Sequence, residues 1–398
     1  MRKFYEFFAG GGMVRAGLGD GWFCSVANDF DHKKAEVYRA NWGLGCNLIE
    51  GDVREVRADD LPDTADLAWA SFPCQDLSLA GGGAGLKGDR SGTFWPFWKL
   101  MGSLVDDQRG PKVIVLENVC GTLSSHKGED FKAIGAAFAA RGYRFGAVVI
   151  DAALFVPQSR PRLFVIGVRG DVRVPDGLAS DVPTGRHHTR GLRLAYEKLT
   201  PKSKRAWFWW NLPMPDARCR DLIDCIEADP ADVDWHTSAE TDQLLGMMSP
   251  INREKVDAAL KTKRRMAGAV YKRTRRDENG VKVQRAEVRF DGVAGCLRTP
   301  AGGSSRQLIV LVEDGQVRSR LISGRESARL MGLPEDYELP RNRNEAYHLT
   351  GDGVAVPVVR FLASHLLEPL TCASDGDGWK DHTTTAAVEQ KRQAAVAL

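Results

Sequence analysis

A cysteine follows a proline in the stretch Ala70-Ser71-Phe72-Pro73-Cys74-Gln75-Asp76-Leu77-Ser78. A thiolate is a strong nucleophile able to split one difficult step into two easier ones. The apolar run Leu67-Ala68-Trp69-Ala70 reads as the end of a buried strand, and proline fixes the backbone directly after it. The thiol is therefore expected at the carboxyl edge of a sheet, where open α/β sheets bind ligands. Taken alone, the dipeptide suits a packed core cysteine equally well. Two further groups change that balance. Glu117-Asn118-Val119 ends the run Val113–Leu116, so a carboxyl at that edge could reach a base held at the cysteine. Gln158-Ser159-Arg160-Pro161-Arg162 supplies two guanidinium groups, planar donors that keep their charge.

These groups need elements to hold them, and the first half of the chain alternates strand and helix patterns. Lys3–Phe8, Phe23–Ala27, Asp66–Ala70, Val113–Leu116, Phe145–Ile150 and Arg162–Val168 read as strands. Met13–Gly19, Asp31–Ala40 and Phe131–Arg141 read as helices. Such alternation predicts a parallel sheet with helices on both faces. Three successive strand ends carry a glycine turn (Phe8-Ala9-Gly10-Gly11-Gly12), an acid (Asp29) and a second acid (Asp52). Glycines permit close approach to a nucleotide-like cofactor, and an acid at the next strand end suits ribose hydroxyls.

The chain has 398 residues, room for two domains, and its composition is that of a globular protein, 43% hydrophobic and 27% charged. Eight cysteines without CxxC pairs or zinc spacing argue against a disulfide framework or a metal site, and reduced thiols fit a cytoplasm. No signal peptide or membrane-crossing stretch is expected. Net charge is only +3, yet between Arg253 and Arg289 13 Lys/Arg stand against 5 Asp/Glu. A second basic stretch, Arg186–Arg205, holds 7 basic residues and the single acid Glu197. Basic stretches on a near-neutral body suit a polyanionic partner better than a small substrate.

In order, Pro73-Cys74-Gln75, Glu117-Asn118-Val119 and the Gln-x-Arg-x-Arg run resemble the catalytic motifs of the DNA cytosine-5 methyltransferases. Arg325-Glu326-Ser327-Ala328-Arg329-Leu330-Met331-Gly332-Leu333-Pro334 resembles that family's Arg-Glu-x-x-Arg-Leu-x-Gly-Phe-Pro segment. Gly351-Asp352-Gly353-Val354 takes the place of its Gly-Asn-Ser-Val, with Asp and Gly replacing Asn and Ser. Met13 also departs, standing where many members have glycine. The resemblance spans about Lys3 to Val168 and Ser319 to about Val359. It implies a Rossmann-like, doubly wound α/β sheet that binds S-adenosylmethionine, with a smaller, mostly β target-recognition domain. The implied domains are residues 1–180 and 321–372 for catalysis and cofactor, 181–320 for recognition, and a poorly ordered tail over 373–398.

Residue by residue, the resemblance assigns Cys74 as nucleophile, with Glu117, Arg160 and Arg162 beside the target base. It assigns Phe8, Gly10, Gly12, Asp29, Phe30, Asp52, Val53, Pro73 and Asp352 to the cofactor. For DNA it implies Gln75, Ser78, Arg298, Thr299, Gly302 and Gly303, the last four in the stretch Ala294–Gly303. Lys272, Arg273, Arg275 and Arg276 flank Asp277-Glu278-Asn279-Gly280, a hairpin turn by composition, and a basic hairpin could enter a groove. Leu79–Gly92 is expected to be a loop closing over a flipped base. The partner implied is double-stranded DNA, met by a monomer in the cytoplasm, with a cognate restriction endonuclease as a further candidate and no membrane. Trp207-Phe208-Trp209-Trp210 could stack on bases or pack between domains. An RNA cytosine methyltransferase would use the same catalytic residues, and a silent DNA-binding relative would be expected to lack some of them. A nicotinamide dehydrogenase would share only the glycine turn.

Overall fold

The structure, a computed structural model, describes residues 1–73, 86, 91–276, 280–300 and 306–372. Seven strands form its main sheet: β1 (Arg2–Phe7), β2 (Trp22–Asp29), β3 (Leu48–Glu50), β4 (Leu67–Ala70), β5 (Val113–Val119), β6 (Tyr143–Asp151) and β7 (Pro161–Arg169). Their spatial order is β3-β2-β1-β4-β5-β7-β6. Buried on both faces, the central strands read as unbroken apolar runs, as in Val113-Ile114-Val115-Leu116. Helices α1 (Met13–Leu18), α2 (His32–Trp42), α3 (Phe94–Asp106) and α4 (Glu129–Ala140) supply the connections. Side chains alternate across the sheet. Tyr5, Phe7, Ile114, Leu116, Leu163 and Val165 pack with Phe94, Phe97 and Met101 of α3 and Phe131, Ile134 and Phe138 of α4. Phe4, Trp69, Val113, Val115, Phe164 and Ile166 face the other way, towards residues from the end of the chain.

The expectation of an all-parallel sheet is corrected at one strand: β7 runs antiparallel to both β5 and β6. Only residues 152–160 join β6 to β7, and a parallel crossover needs a dozen or more. The antiparallel strand therefore begins at the edge where the others end.

Residues 179–210 stay with this sheet. The ribbon β8 (Ala179–Ser180) and β9 (Trp209–Trp210), with helices α5 (Arg190–Glu197) and α6 (Pro201–Arg205), covers the β6 edge. There the Phe145 N–H donates to the Ala206 carbonyl at 2.8 Å and the Phe208 N–H to the Phe145 carbonyl at 3.0 Å. Capping an edge strand hides its unpaired backbone groups. Trp207, Phe208, Trp209 and Trp210 are all buried here, alternating between the two cores, so they are packing residues of the main sheet.

Beyond α7 (Leu222–Cys225), α8 (Ser238–Gly246) and α9 (Pro250–Lys261) lies a four-stranded antiparallel sheet. Its strands are β10 (Met266–Arg276), β11 (Lys282–Arg289), β12 (Leu308–Glu313) and β13 (Gln316–Leu321), in the order β11-β10-β12-β13. Leu244, Leu245, Val256 and Ala259 of α8 and α9 pack on one face of it with Val270, Val288 and Val310. The chain returns through α10 (Gly324–Arg329), α11 (Arg343–Asp352), α12 (Val356–Leu362) and α13 (Glu368–Cys372). Val358, Val359 and Leu362 close the core on the β1 side. The run Arg343–Cys372 is long and apolar enough by composition to cross a membrane, contrary to the sequence expectation. It is broken between α11 and α12, and 61% of its most apolar window is buried inside the protein. That is the character of core helices.

Candidate active site

β4 and β5 lie side by side and parallel, Ala70 opposite Leu116, so the chain leaving β4 through Ser71-Phe72-Pro73 runs out beside Glu117. Asn118 fixes that approach: its side-chain amide donates to the Phe72 carbonyl at 3.0 Å, while its carbonyl oxygen accepts from the Val119 N–H. Pro73 is half-buried. Cys74, Gln75 and Ser78 lie outside the described residues, as does most of the expected loop. Leu86, within that loop, is buried, and its N–H donates to Asp130 Oδ1 at 3.2 Å.

The antiparallel direction of β7 brings the arginine motif to this same edge, with Val119 opposite Arg162. Arg162 Nε stands 3.2 Å from Glu117 Oε1, and both side chains are largely buried. Burial pushes the Glu117 carboxyl above its ordinary value, opposed by Arg162, then Arg160, then a hydrogen bond from Ser71. Arg160 is only 2% exposed. One of its terminal nitrogens donates to the Leu297 carbonyl at 3.0 Å; the other donates to the carbonyls of Gly351 and Gly353, each at 2.7 Å. Burial, then the neighbouring Arg162 charge, lowers its pKa to about 10, so it remains a cation at neutral pH.

The glycine turn sits at the end of β1. Gly10 has φ +55° and Gly12 φ +81°, and a Cβ built on Gly10 would point into open space. Phe8 takes φ +57°, a strained conformation for an aromatic residue. Asp29 is buried, and both its oxygens hold backbone: Oδ2 accepts from the Gly10 N–H at 2.7 Å and Oδ1 from the Asp31 N–H at 2.9 Å. The second strand end thus clamps the first. Phe30 is 70% exposed and Val53 buried. Asp52 accepts from the Arg54 N–H at 2.8 Å and from its guanidinium at 3.1 Å. An open cradle at Gly10, two acids and an exposed aromatic ring suit an adenosine bearing an amino-acid tail. Asp352, the last residue of α11, pairs with Lys34 of α2.

The segment before Arg298 is built onto the arginine motif. The Ala294 N–H donates to the Pro157 carbonyl at 2.8 Å and the Ser159 N–H to the Ala294 carbonyl at 3.0 Å. Gln158 is fully buried; its Oε1 accepts from the Leu297 N–H at 3.0 Å and its Nε2 donates to the Leu330 carbonyl at 2.8 Å. A Cβ on Gly351 would lie 2.7 Å from the backbone of Arg298 and Thr299, so only glycine allows that contact. Gly302 and Gly303 lie outside the described residues. Cys296 has its sulfur 3.5 Å from an Arg160 nitrogen and 3.8 Å from one of Arg162. Burial pushes that thiol up, but Arg160, Arg162 and Arg298 outweigh it and leave the pKa below the ordinary value.

In the hairpin, register divides the four basic residues between two faces. Tyr271, Arg273 and Arg275 share one face with Arg285 and Glu287, while Lys272 and Arg276 point to the other. Glu287 pairs with Arg273 at 3.3 Å and Arg275 at 2.6 Å. Tyr271 packs against Gly295, so the Arg273 face adjoins the Cys296 segment. Residues 277–279 of the expected turn lie outside the described residues. Sequence reading gave no role to Asn118, Gln158, Cys296 or Glu287. The first three stand inside quoted motifs, but their partners lie far along the chain. Glu287 could have been found only from the strand register.

A family model described as C-5 cytosine-specific DNA methylase matches residues 2–368. The chain is 26% identical over 376 residues to the type II methyltransferase M.BsuFI of Bacillus subtilis, covering 93% of this chain and 73% of that relative. It is 25% identical over 366 residues to the type II methyltransferase M.HhaI of Haemophilus parahaemolyticus, covering 92% and 94%. Among solved structures, S. pombe Dnmt2 methyltransferase superposes with a TM-score of 0.56 at 17% identity, covering 93% of this chain and 99% of that one. A putative DNA modification methyltransferase encoded within a prophage (E. coli) gives 0.54 at 16% identity, covering 93% and 99%.

Proposed function

Because the chain belongs to the C-5 cytosine-specific DNA methylase family, we propose that it methylates carbon 5 of cytosine at a defined sequence in double-stranded DNA. The observation that carries this reading is the buried Glu117–Arg162 pair beside the strand that leads to Pro73-Cys74. Carbon 5 of cytosine is a poor nucleophile until something adds to carbon 6. The Cys74 thiolate is the group proposed to add there, with the target base taken out of the stack; once carbon 5 has taken the methyl group, a base removes its proton and the thiolate leaves carbon 6. Glu117, its carboxyl pushed above the ordinary value by burial, is the group proposed to hydrogen-bond the exocyclic amine and support protonation at ring nitrogen 3. Arg162 fixes the carboxyl in place, and the Arg160 charge behind it adds to the positive character of that edge.

S-adenosylmethionine, when bound, supplies an electrophilic methyl group on its sulfonium. Phe8, Gly10, Gly12, Asp29, Phe30, Asp52, Val53, Pro73 and Asp352 are the residues proposed to hold it. Asp29 would use lone pairs not engaged by Gly10 and Asp31. Recognition, expected over residues 181–320, is assigned to the part beyond the β8–β9 ribbon, centred on the four-stranded sheet, with Arg298 and Thr299 against Gly351 and Arg273 and Arg275 on the face that adjoins the Cys296 segment. The protein would work as a monomer in the cytoplasm, alongside a restriction endonuclease of the same specificity.

DNA carrying 5-fluorocytosine tests the covalent step, since fluorine cannot leave as a proton. The wild-type chain should be trapped on such DNA, and Cys74→Ser should bind DNA without trapping or turnover. Undiminished methylation by Cys74→Ser would overturn the assignment. Bisulfite sequencing of DNA from expressing cells would then give the recognition site.

A further inference from the structure

The acid at position 352 is electrically answered from across the cleft. Its Oδ2 accepts a hydrogen bond from the Lys34 ammonium at 2.6 Å. Lys34 lies in the first turn of α2, where the Asp31 side chain caps the helix by accepting from the N–H groups of Lys33 and Lys34. The Lys34 side chain is 16% exposed against 45% for Asp352. On its other flank is Asp29, the acid that clamps Gly10. Burial works against the Lys34 ammonium, yet Asp352 and then Asp29 more than restore it. Lys34 in turn is the foremost influence opposing the burial that raises Asp29. Three carboxylates, Asp352, Asp29 and Asp31, thus act on the single Lys34 ammonium beside the glycine turn.

We propose that Lys34 and Asp352 are a charge-setting pair that lets this site discriminate S-adenosylmethionine from its product, S-adenosylhomocysteine. This rests on the cofactor reading above. The donor carries a sulfonium, an ammonium and a carboxylate, and is a net cation; the product has lost the sulfonium charge and is neutral overall. Three carboxylates against one ammonium leave the cluster anionic, which favours the donor and eases release of the product. A neutral side chain at 352 would lessen that negative charge and weaken the preference. The competing explanation is a simple strap between helices. Lys33 and Glu345 form such a strap, joining the same two helices. That pair is the internal control.

Calorimetric titration of the full chain with each of the two compounds decides between them. Asp352→Asn should lower the ratio of the product's Kd to the donor's Kd by on the order of fivefold, the scale of one charge removed several ångströms away near a protein surface. Lys34→Met should move the ratio the opposite way, and Lys33→Met should leave it unchanged. In the wild type the ratio should shrink as salt is raised. If Asp352→Asn weakens both compounds by the same factor, or Lys34→Met shifts the ratio in the same direction as Asp352→Asn, the pair is only a strap and the proposal fails. Should Asp352→Asn fail to fold, Lys34→Met and the wild-type salt series still decide. A wild type that binds neither compound would overturn the cofactor reading itself, a distinguishable failure.

Discussion

At the carboxyl edge of the seven-stranded sheet Arg160 is buried and tied to backbone, whereas on the β10–β11 hairpin the arginines stand in solvent and share a carboxylate. Arg160, 2% exposed, donates to carbonyls of Leu297, Gly351 and Gly353. Arg273 and Arg275, each with about half its side chain exposed, share Glu287. A buried ion has no water to fall back on, so the protein groups it holds fix its position. An exposed pair contributes little to stability and can exchange its partner for a phosphate at small cost. One region is built to hold a geometry and the other can exchange its partners.

The sharpest way to break that contrast is at Glu117. Glu117→Gln keeps the shape but loses the shared proton, and turnover should fall by about 10²–10⁴-fold with cofactor and DNA affinity retained; single-turnover methylation assays check it. Next comes Arg160→Met, which strands several buried carbonyl acceptors and should cost about 3 kcal/mol of stability in a denaturant titration. The same change at Arg273 should stay within about 0.5 kcal/mol. Equal losses at the two positions would erase the distinction between the regions. For the hairpin, replacing Lys272, Arg273, Arg275 and Arg276 together by alanine should weaken DNA binding. The log-affinity against log-salt slope should flatten by about 0.9 for every phosphate contact removed. Because register splits the four between two faces, single changes at Arg273 and Arg275 should act differently from those at Lys272 and Arg276.

Glu6 extends the comparison to a buried acid without an arginine clamp. It lies on β1 with Oε2 accepting from the Tyr38 hydroxyl at 3.3 Å and Oε1 without a partner among the described residues. Burial, opposed first by Arg15, raises its pKa from 4.5 to about 8. The folded state therefore favours the protonated acid. The stability this contributes is complete below the unfolded value of 4.5 and is lost as pH rises through about 8. Glu6→Gln should flatten the pH dependence of the melting temperature across that window and raise it at the alkaline end. The smallest effect is expected from Glu287→Gln, which frees Arg273 and Arg275. Non-specific DNA affinity should rise by about two- to threefold at low salt, and the gain should vanish as salt is added.

The strand ends were legible because the chain writes them plainly: apolar and aromatic runs broken by Gly10, Asp29, Asp52, Pro73 or Glu117. The direction of β7 was not, since a pattern of apolar residues reads the same both ways and only the short 152–160 connection decides it. The partners of Arg160 were also hidden, because backbone carbonyls 137 to 193 residues away have no residue-type signature. Trp207–Trp210 suited packing between domains better than stacking on bases; the backbone of the β6 edge gave them their place, in the cores of the main sheet. Lys34 was overlooked because lysine in the first turn of a helix is ordinarily a solvated residue, and Asp352 is far from it in sequence.

The four-stranded sheet is moored at both margins: Ala294 and Leu297 to residues 157–158 on one side, and Arg320 to Glu326 and the Glu227 carbonyl on the other. Every one of those moorings uses backbone or a fully buried side chain, and none involves the exposed residues of the hairpin. The exposed side chains of Arg273, Arg275 and Arg276 can therefore be exchanged without breaking any hydrogen bond that aligns this sheet with the Glu117 edge.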